Sequence, residues 1–504
     1  MNWTPGRLPT AVAGLPLAAV IIATAYVINA GVEAGVSFEV VVRPLAVAVI
    51  GTSVLTVAAV VLMRSTVGGG LVAAGIVLLL IAGGAIGTLI TRTHPIQAAL
   101  WVLLVAIAIG LLTRIMRRQW RRGLPDSSPF NLLAVAMLAI VIASAAINRT
   151  EPVPHPPASI DPDPPAVARD MVLVLLDGYP RADILERYFR YDNSAFIGEL
   201  ERRGFEVATD ARANYAWTEL TLLSMLHMEH ANRIDAFTDR GGDGRSQPWL
   251  SDLTNQNPVF DIVRKSGYEV AAIGTNIDHV TLKSADEVRR PPGLTDFDLH
   301  LLRSTALSGM ISAVDPAFFA RSHREQVLWS IETLEQEASD PSGGRLLIAH
   351  VLSPHMPAVF ESDGSLRVVR FDHDFYDDFR ALGSQDLDAW NAAFVGQVEF
   401  VNTRTLQALD AIIAGNPNAD LVVFSDHGSG SRYRPDVPDR DADERYSILF
   451  AARTPGVPTP FANDQTPINI FPRWLNARLG LTLAEREDDA FSGYLDLVPI
   501  ADAD

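Results

Sequence analysis

LVVFSDHG, residues 421–428, is a short apolar run that ends abruptly in a carboxylate, an imidazole and a glycine. A run of this length with no alternating polar positions reads as a strand buried on both faces, as in a parallel sheet. Two other stretches read the same way. MVLVLL (171–176) runs into Asp177-Gly178, and LLIAHV (346–351) contains His350 and leads to Ser353-Pro354-His355-Met356-Pro357. Longer amphipathic stretches separate these runs, clearest around 192–203, 258–266, 324–338 and 389–414, with another at 466–478. Such alternation predicts an α/β domain built on a mainly parallel sheet. Stretches 231–256 and 427–444, rich in Gly, Asp and Arg, are expected to be loops.

Upstream, the character of the chain changes. Residues 150–168, TEPVPHPPASIDPDPPAVA, hold seven prolines and cannot form a helix or a central strand. They read as a stiff linker between an N-terminal part, 1–149, and a domain over 169–504. The N-terminal part contains five apolar stretches, about 11–31, 44–63, 69–91, 96–113 and 130–147. Roughly 20 helical residues cover the ~30 Å hydrocarbon core of a bilayer, so each is long enough to span, and together they predict a five-span α-helical transmembrane bundle. Buried helices of a soluble protein are a poor reading, since five such runs would leave nothing polar to face water. Five arginines between 114 and 122 place that loop in the cytoplasm. An odd number of spans then puts the C-terminal domain on the outer face of the cell membrane. No Asp, Glu, Lys or His lies deep within a span, so these helices are expected to anchor the domain or grip a lipid rather than carry ions.

Charge divides at the same boundary. Residues 1–150 carry a net charge of +7, within a chain total of −18, so the C-terminal part is strongly acidic. That balance disfavours nucleic acid as a partner of its general surface. The absence of cysteine excludes disulfides, thiolate ligands and a thiol nucleophile.

In a parallel sheet, ligands bind beyond the carboxyl ends of the strands, which makes Asp177, Asp426 and His427 site candidates. Between the first two strands lies Asn214-Tyr215-Ala-Trp-Thr218-Glu-Leu-Thr221-Leu-Leu-Ser224, with a helix expected to begin at or just after Thr218. A hydroxyl among the unpaired N–H groups of a helix start suits an oxygen that attacks a phosphate held beside it.

Four motifs stand in order: strand-Asp-Gly, Asn-Tyr-x-x-Thr-x-x-Thr, His-x4-His-x-Pro and Ser-Asp-His-Gly. This order resembles the alkaline phosphatase superfamily in its sulfatase-like branch. Within it the chain looks most like the membrane-bound phosphoethanolamine and phosphoglycerol (lipoteichoic acid synthase-type) transferases. Thr466-Pro-Ile-Asn469-Ile-Phe471 is similar to a closing helix of that branch. The resemblance implies one divalent metal ion, Mn²⁺ or Zn²⁺, held by Asp177, Thr218, Asp426 and His427, with Thr218 as nucleophile. It further implies that His350 and His355 face the transferred group. Carboxylate oxygens with one imidazole suit such an ion, and a coordinated hydroxyl loses its proton more readily.

Three departures shape the expected activity. Thr218 does not lie in the Cys/Ser-x-Pro-x-Arg context that formylglycine sulfatases require, so sulfate-ester hydrolysis is disfavoured. Gly178 stands where many sulfatases have a second Asp, and no histidine follows His427. Arg432 and Arg434 are therefore expected to supply positive charge to a phosphate. The resulting expectation is a transferase that moves a phospho-head group from a lipid to an envelope glycan or lipid acceptor through a phospho-threonine. A hydrolase with the same site, or a non-catalytic envelope scaffold, are the alternatives.

Overall fold

The computed structural model describes residues 16–90, 128–147, 168–239, 248–368, 387–434 and 441–500, with single positions at 110, 114, 160 and 165. The chain divides into two compact units.

The first unit contains apolar helices Ala18–Ala34, Phe38–Met63, Thr66–Ile90 and Ser128–Ile147. Among the described residues, Phe38–Met63 and Thr66–Gly83 are long and apolar enough to cross a membrane. Val47, Ile50, Val54, Val57 and Val61 are exposed along the former, an apolar surface that suits lipid rather than water. This helix begins six residues before the expected span, because Glu39 and Arg43 interrupt the apolar run but not the helix. The expected span at 96–113 lies almost wholly outside the described residues, as does most of the linker. The first unit also takes in Leu294–Phe318, which the sequence division at residue 169 does not mark.

The second unit is built on a seven-stranded sheet. Its strands are β1 (Met171–Leu176), β2 (Glu206–Val207), β3 (Glu269–Ile273), β4 (Glu287–Arg289), β5 (Arg345–Val351), β6 (Asp420–Phe424) and β7 (Phe450–Arg453), in the order β2-β7-β6-β1-β5-β3-β4. Strands β4, β3, β5, β1 and β6 run parallel, and β7 and β2 close one edge antiparallel. β1, β5 and β6 are buried on both faces, as their unbroken apolar sequences require. One core packs Leu173, Leu175, Ile348 and Val422 against Val259, Ile262 and Trp474. On the opposite face Val172, Val174, Leu347 and Val423 meet Ile331, Leu334, Val401 and Leu409. The expected helices appear as Ser194–Arg202, Pro258–Lys265, Phe318–Ser339, Leu387–Gly415 and Ile470–Leu479. Two of the expected loops are partly helical: Asp235–Thr238 and Pro248–Asn255 lie in the first, and Ala442–Tyr446 begins in the second. In the second case a buried acid, Glu444, organises the segment through the Ser429 and Ser431 hydroxyls and the backbone N–H groups of Ser431, Arg432 and Tyr433.

β1 lies between β5 and β6, so the chain leaves three adjacent strands at the same sheet edge. Asp177, His355 and the Asp426-His427 pair all stand beyond that edge.

Candidate active site

Asp177 follows the last residue of β1. Its Oδ2 lies 2.8 Å from His350 Nε2, while Oδ1 is buried with no hydrogen-bond partner and lies 3.7 Å from His427 Nε2. Asp426 repeats the pattern after β6. Its Oδ1 accepts from the Gly178 N–H at 3.2 Å, and Oδ2 is buried without a partner, 3.3 Å from His427 Nε2. Gly178 has φ +72, a left-handed conformation that a side chain would strain, and that turn aims its N–H at Asp426.

His427 Nδ1 donates to the Gly428 carbonyl at 2.9 Å, which leaves Nε2 with its lone pair toward the two carboxylates. Burial, with the nearby Arg445 charge, pushes this imidazole below its ordinary pKa against the opposing pull of Asp426 and Asp177, and so favours the neutral ring. Thr218 opens the helix Thr218–His227, and its Oγ1 stands 3.4 Å from His427 Nε2. His355 Nδ1 donates to the Met356 carbonyl at 2.7 Å, and the His355 N–H donates to Asp177 O at 2.8 Å. Ligand atoms of Asp177, His355 and His427 fall within 4.8 Å of one another.

These donors fit a divalent metal ion. Two buried carboxylate oxygens lacking hydrogen bonds would be costly beside each other unless a cation lay between them. An imidazole Nε2 and a hydroxyl complete the set, a mixture of hard oxygen and nitrogen suited to Zn²⁺ or Mn²⁺. Burial alone would raise the Asp177 carboxyl, yet His355, the His350 hydrogen bond and His427 hold it below the ordinary carboxylate range, ionised and ready to bind a cation.

Asp177, Thr218, His355, Asp426 and His427 are thus brought together. His350 sits one layer back: its Nε2 touches the Asp177 carboxylate and its ring is buried. The Arg432 guanidinium carbon lies 5.5 Å from the centroid of the Tyr188 ring, and Arg434 is exposed. Thr221 and Ser224, the neighbouring hydroxyls, are fully buried; Thr221 donates to the Asp426 carbonyl and Ser224 to that of Thr221.

Several residues escape sequence reasoning. Arg445, buried, donates from Nε and Nη2 to the Ala216 carbonyl at 3.0 and 2.7 Å and from Nη1 to the Gly428 carbonyl at 3.1 Å. It ties the entry to the Thr218 helix to the carbonyl that orients His427. The buried Glu444 carboxylate accepts from Ser429, Ser431, Arg432 and Tyr433, holding the loop after Gly428. Gln397 donates to the carbonyls of Pro354 and His355, both at 3.0 Å, and fixes the His355 turn. None carries a sequence signal: Arg445 and Gln397 hold backbone carbonyls that any residue supplies, and Glu444 accepts chiefly from backbone N–H groups, with two serine hydroxyls. Glu219, next to Thr218, pairs with His279 at 3.1 Å, which keeps its carboxyl low despite burial.

The arrangement is that of a threonine hydroxyl beside a buried carboxylate–imidazole cluster at the carboxyl edge of a parallel sheet. Similar solved structures include phosphoethanolamine transferases and sulfatases. The C-terminal periplasmic domain of EcEptC from Escherichia coli, in complex with Zn, is 16% identical over 69% of this chain and 96% of its own, with a TM-score of 0.45. The integral membrane lipooligosaccharide phosphoethanolamine transferase A (EptA) from Neisseria meningitidis is 15% identical, covering 77% of this chain and 70% of its own, with a TM-score of 0.38. BT1596, a 2-O GAG sulfatase, is 15% identical over 63% of this chain and 72% of its own, with a TM-score of 0.42. No protein-family model and no curated protein sequence matches the chain.

Proposed function

We propose that this chain is a membrane-anchored metalloenzyme that moves a phospho-head group from a lipid to an envelope glycan or lipid acceptor, with Thr218 as nucleophile. The observation that supports it is the placement of the Thr218 hydroxyl 3.4 Å from His427 Nε2, beside two buried carboxylate oxygens that lack any hydrogen bond. A divalent cation bound by Asp177, Asp426, His427 and Thr218 would supply Lewis acidity, easing loss of the hydroxyl proton and offsetting charge on the phosphoryl oxygens.

In the first half-reaction Thr218 Oγ bonds to phosphorus and releases its proton to solvent, while the bond from phosphorus to the departing lipid alkoxide breaks. His355, with Nδ1 committed to the Met356 carbonyl, presents Nε2 to give that alkoxide a proton. In the second, an acceptor hydroxyl gives its proton to His355, attacks phosphorus and displaces Thr218 Oγ, which regains a proton. Water in place of the acceptor turns the same cycle into hydrolysis. An intact constellation of five groups disfavours a scaffold that merely keeps the fold. The arginine-rich loop at 114–122 supports a domain on the outer face of the membrane, where envelope acceptors lie.

The test is covalent. Full-length protein incubated with a nitrophenyl phosphodiester and quenched in acid should carry an adduct on Thr218 by peptide mass spectrometry. An adduct on another residue, or turnover undiminished in Thr218→Ala, would overturn the assignment.

A further inference from the structure

We propose that residues 294–318 form a re-entrant helical hairpin, seated among the N-terminal helices and inserted into the membrane leaflet on the side of Ala34 and Phe38. Its occupant is the acyl-chain region of the bilayer, which covers Leu307, Met310 and Val314. The inference is independent of the catalytic reading.

The chain leaves the catalytic unit after Gly293, joins the N-terminal unit over Leu294–Phe318 and returns. Two helices, Asp296–Arg303 and Leu307–Val314, make up the excursion. Three contacts record its descent. Asp298 pairs with Arg43, five residues into the helix that starts at Phe38. The Ser304 hydroxyl lies 2.5 Å from Tyr26 Oη, eight residues before the end of the helix Ala18–Ala34. The Ala306 N–H donates to the Leu80 carbonyl at 2.9 Å, ten residues before the end of Thr66–Ile90. Those three helix ends lie on one side, because the helices run alternately up and down. At a rise of about 1.5 Å per residue, the contacts therefore sit about 7, 12 and 15 Å from the ends. Chain position and depth increase together, as in a segment going inward. Phe297 and Leu301 pack with Val27, Ala30, Val40 and Val41 in one small core.

The turn between the two helices is built for a place without water. Irregular backbone persists at membrane depth only where its polar groups are satisfied by protein. Ser304 N–H donates to His300 O, Thr305 N–H to Leu302 O, Ala306 N–H to Leu80 O and Leu307 N–H to Thr305 Oγ1. The hydroxyls turn inward as well: Ser304 donates to His300 O, Thr305 to Leu302 O and Ser308 to Thr305 O. The returning helix, LSGMISAV, has no charged residue and no buried one, and exposes Leu307, Met310 and Val314. On a soluble surface that face would be a liability. Beside helices whose outer faces are equally apolar, it continues a lipid-facing surface. Asp296, Asp298, His300 and Arg303 lie on the descending helix, and Asp315 caps the returning helix where the chain leaves the hairpin; long basic side chains reach the interface from such positions.

The chain has no cysteine, so a single introduced thiol is its only thiol. Full-length Met310→Cys and Val314→Cys should be prepared in phosphatidylcholine nanodiscs, with Ala195→Cys as the aqueous control and Val54→Cys as the lipid control. A charged maleimide should label the hairpin variants at least an order of magnitude more slowly than Ala195→Cys. Bimane attached at Met310→Cys or Val314→Cys should be quenched by lipids brominated on the acyl chain, as at Val54→Cys. Labelling at the aqueous rate without bromolipid quenching would overturn the proposal. Protection without quenching, accompanied by thiol cross-linking between copies, would overturn it in favour of a self-contact. Using two positions guards against one variant failing to fold.

Discussion

His350 Nε2 lies 2.8 Å from Asp177 Oδ2, and this contact leaves the second oxygen of the same carboxylate unpartnered and turned to His427. The histidine therefore sets which face of Asp177 is offered to a cation. Loss of such an outer partner typically lowers metal affinity about 10- to 100-fold. His350→Ala should show a drop of this size in a competition titration with a zinc chelator, with far-ultraviolet circular dichroism unchanged. Unchanged affinity would make His350 a packing residue.

Thr218 and Thr221 are separated by the structure in a way that spacing alone does not achieve. Thr218 is partly exposed with its hydroxyl 3.4 Å from His427 Nε2; Thr221 is fully buried and donates to the Asp426 carbonyl. Thr218→Ala should abolish turnover and leave the thermal midpoint nearly untouched. Thr221→Val should do the reverse in part: it keeps activity but leaves a buried carbonyl without its donor, at a cost of about 1–3 kcal/mol. Paired melting curves and nitrophenyl phosphodiester assays on both variants would check this. A Thr221→Val variant that melts normally and lacks activity would reverse the two roles.

The three central strands and the ligands at their ends are legible in sequence because burial on both faces forces unbroken apolar runs, and a polar residue ending such a run stands out. β3, EVAAI, and the two short antiparallel strands at the other edge are not, since small or few residues leave no period to read. The role of His350 depends on register: it pairs with Leu175 across β1 and β5, a relation that sequence does not contain. The place of residues 296–314 in the N-terminal unit has no local sequence signal, because their partners, Tyr26, Arg43 and Leu80, lie more than two hundred positions earlier. Arg445 and Gln397 bind backbone carbonyls, which have no sequence identity at all.

His323 offers a test of pH dependence. It is buried on the helix Phe318–Ser339, and burial, with the charge of His355 adding to it, pushes its imidazole down to about 3. The unfolded chain takes up the same proton near pH 6.5. Unfolding is therefore increasingly favoured as pH falls from about 6.5 toward 3, by up to about 1.4 kcal/mol per pH unit for this one proton, and the contribution is complete above 6.5. Denaturant midpoints at pH 7.5 and pH 5 should differ less in His323→Asn than in the unmodified protein. An equal difference would assign the acid lability to other groups.

Arg445 supplies the last prediction. Its fork spans the Ala216 carbonyl, two residues before Thr218, and the Gly428 carbonyl, which also accepts from His427 Nδ1. One side chain thereby ties the start of the Thr218 helix to the carbonyl that holds the His427 imidazole. Gly428 admits no substitute at this crossing, since a Cβ there would lie 2.2 Å from the Glu444 carbonyl oxygen. Arg445→Lys keeps the charge but presents a single ammonium in place of a planar fork, so it cannot hold both carbonyls in the same geometry. Metal content should survive, because Asp177, Asp426 and their own partners are unchanged. Turnover should not: a misplacement on the scale of 1 Å at a reacting group costs about 100-fold. The expected signature is a lowered kcat with KM and bound metal close to those of the unmodified protein. A kcat equal to the unmodified value would show that Thr218 and His427 keep their spacing without the arginine.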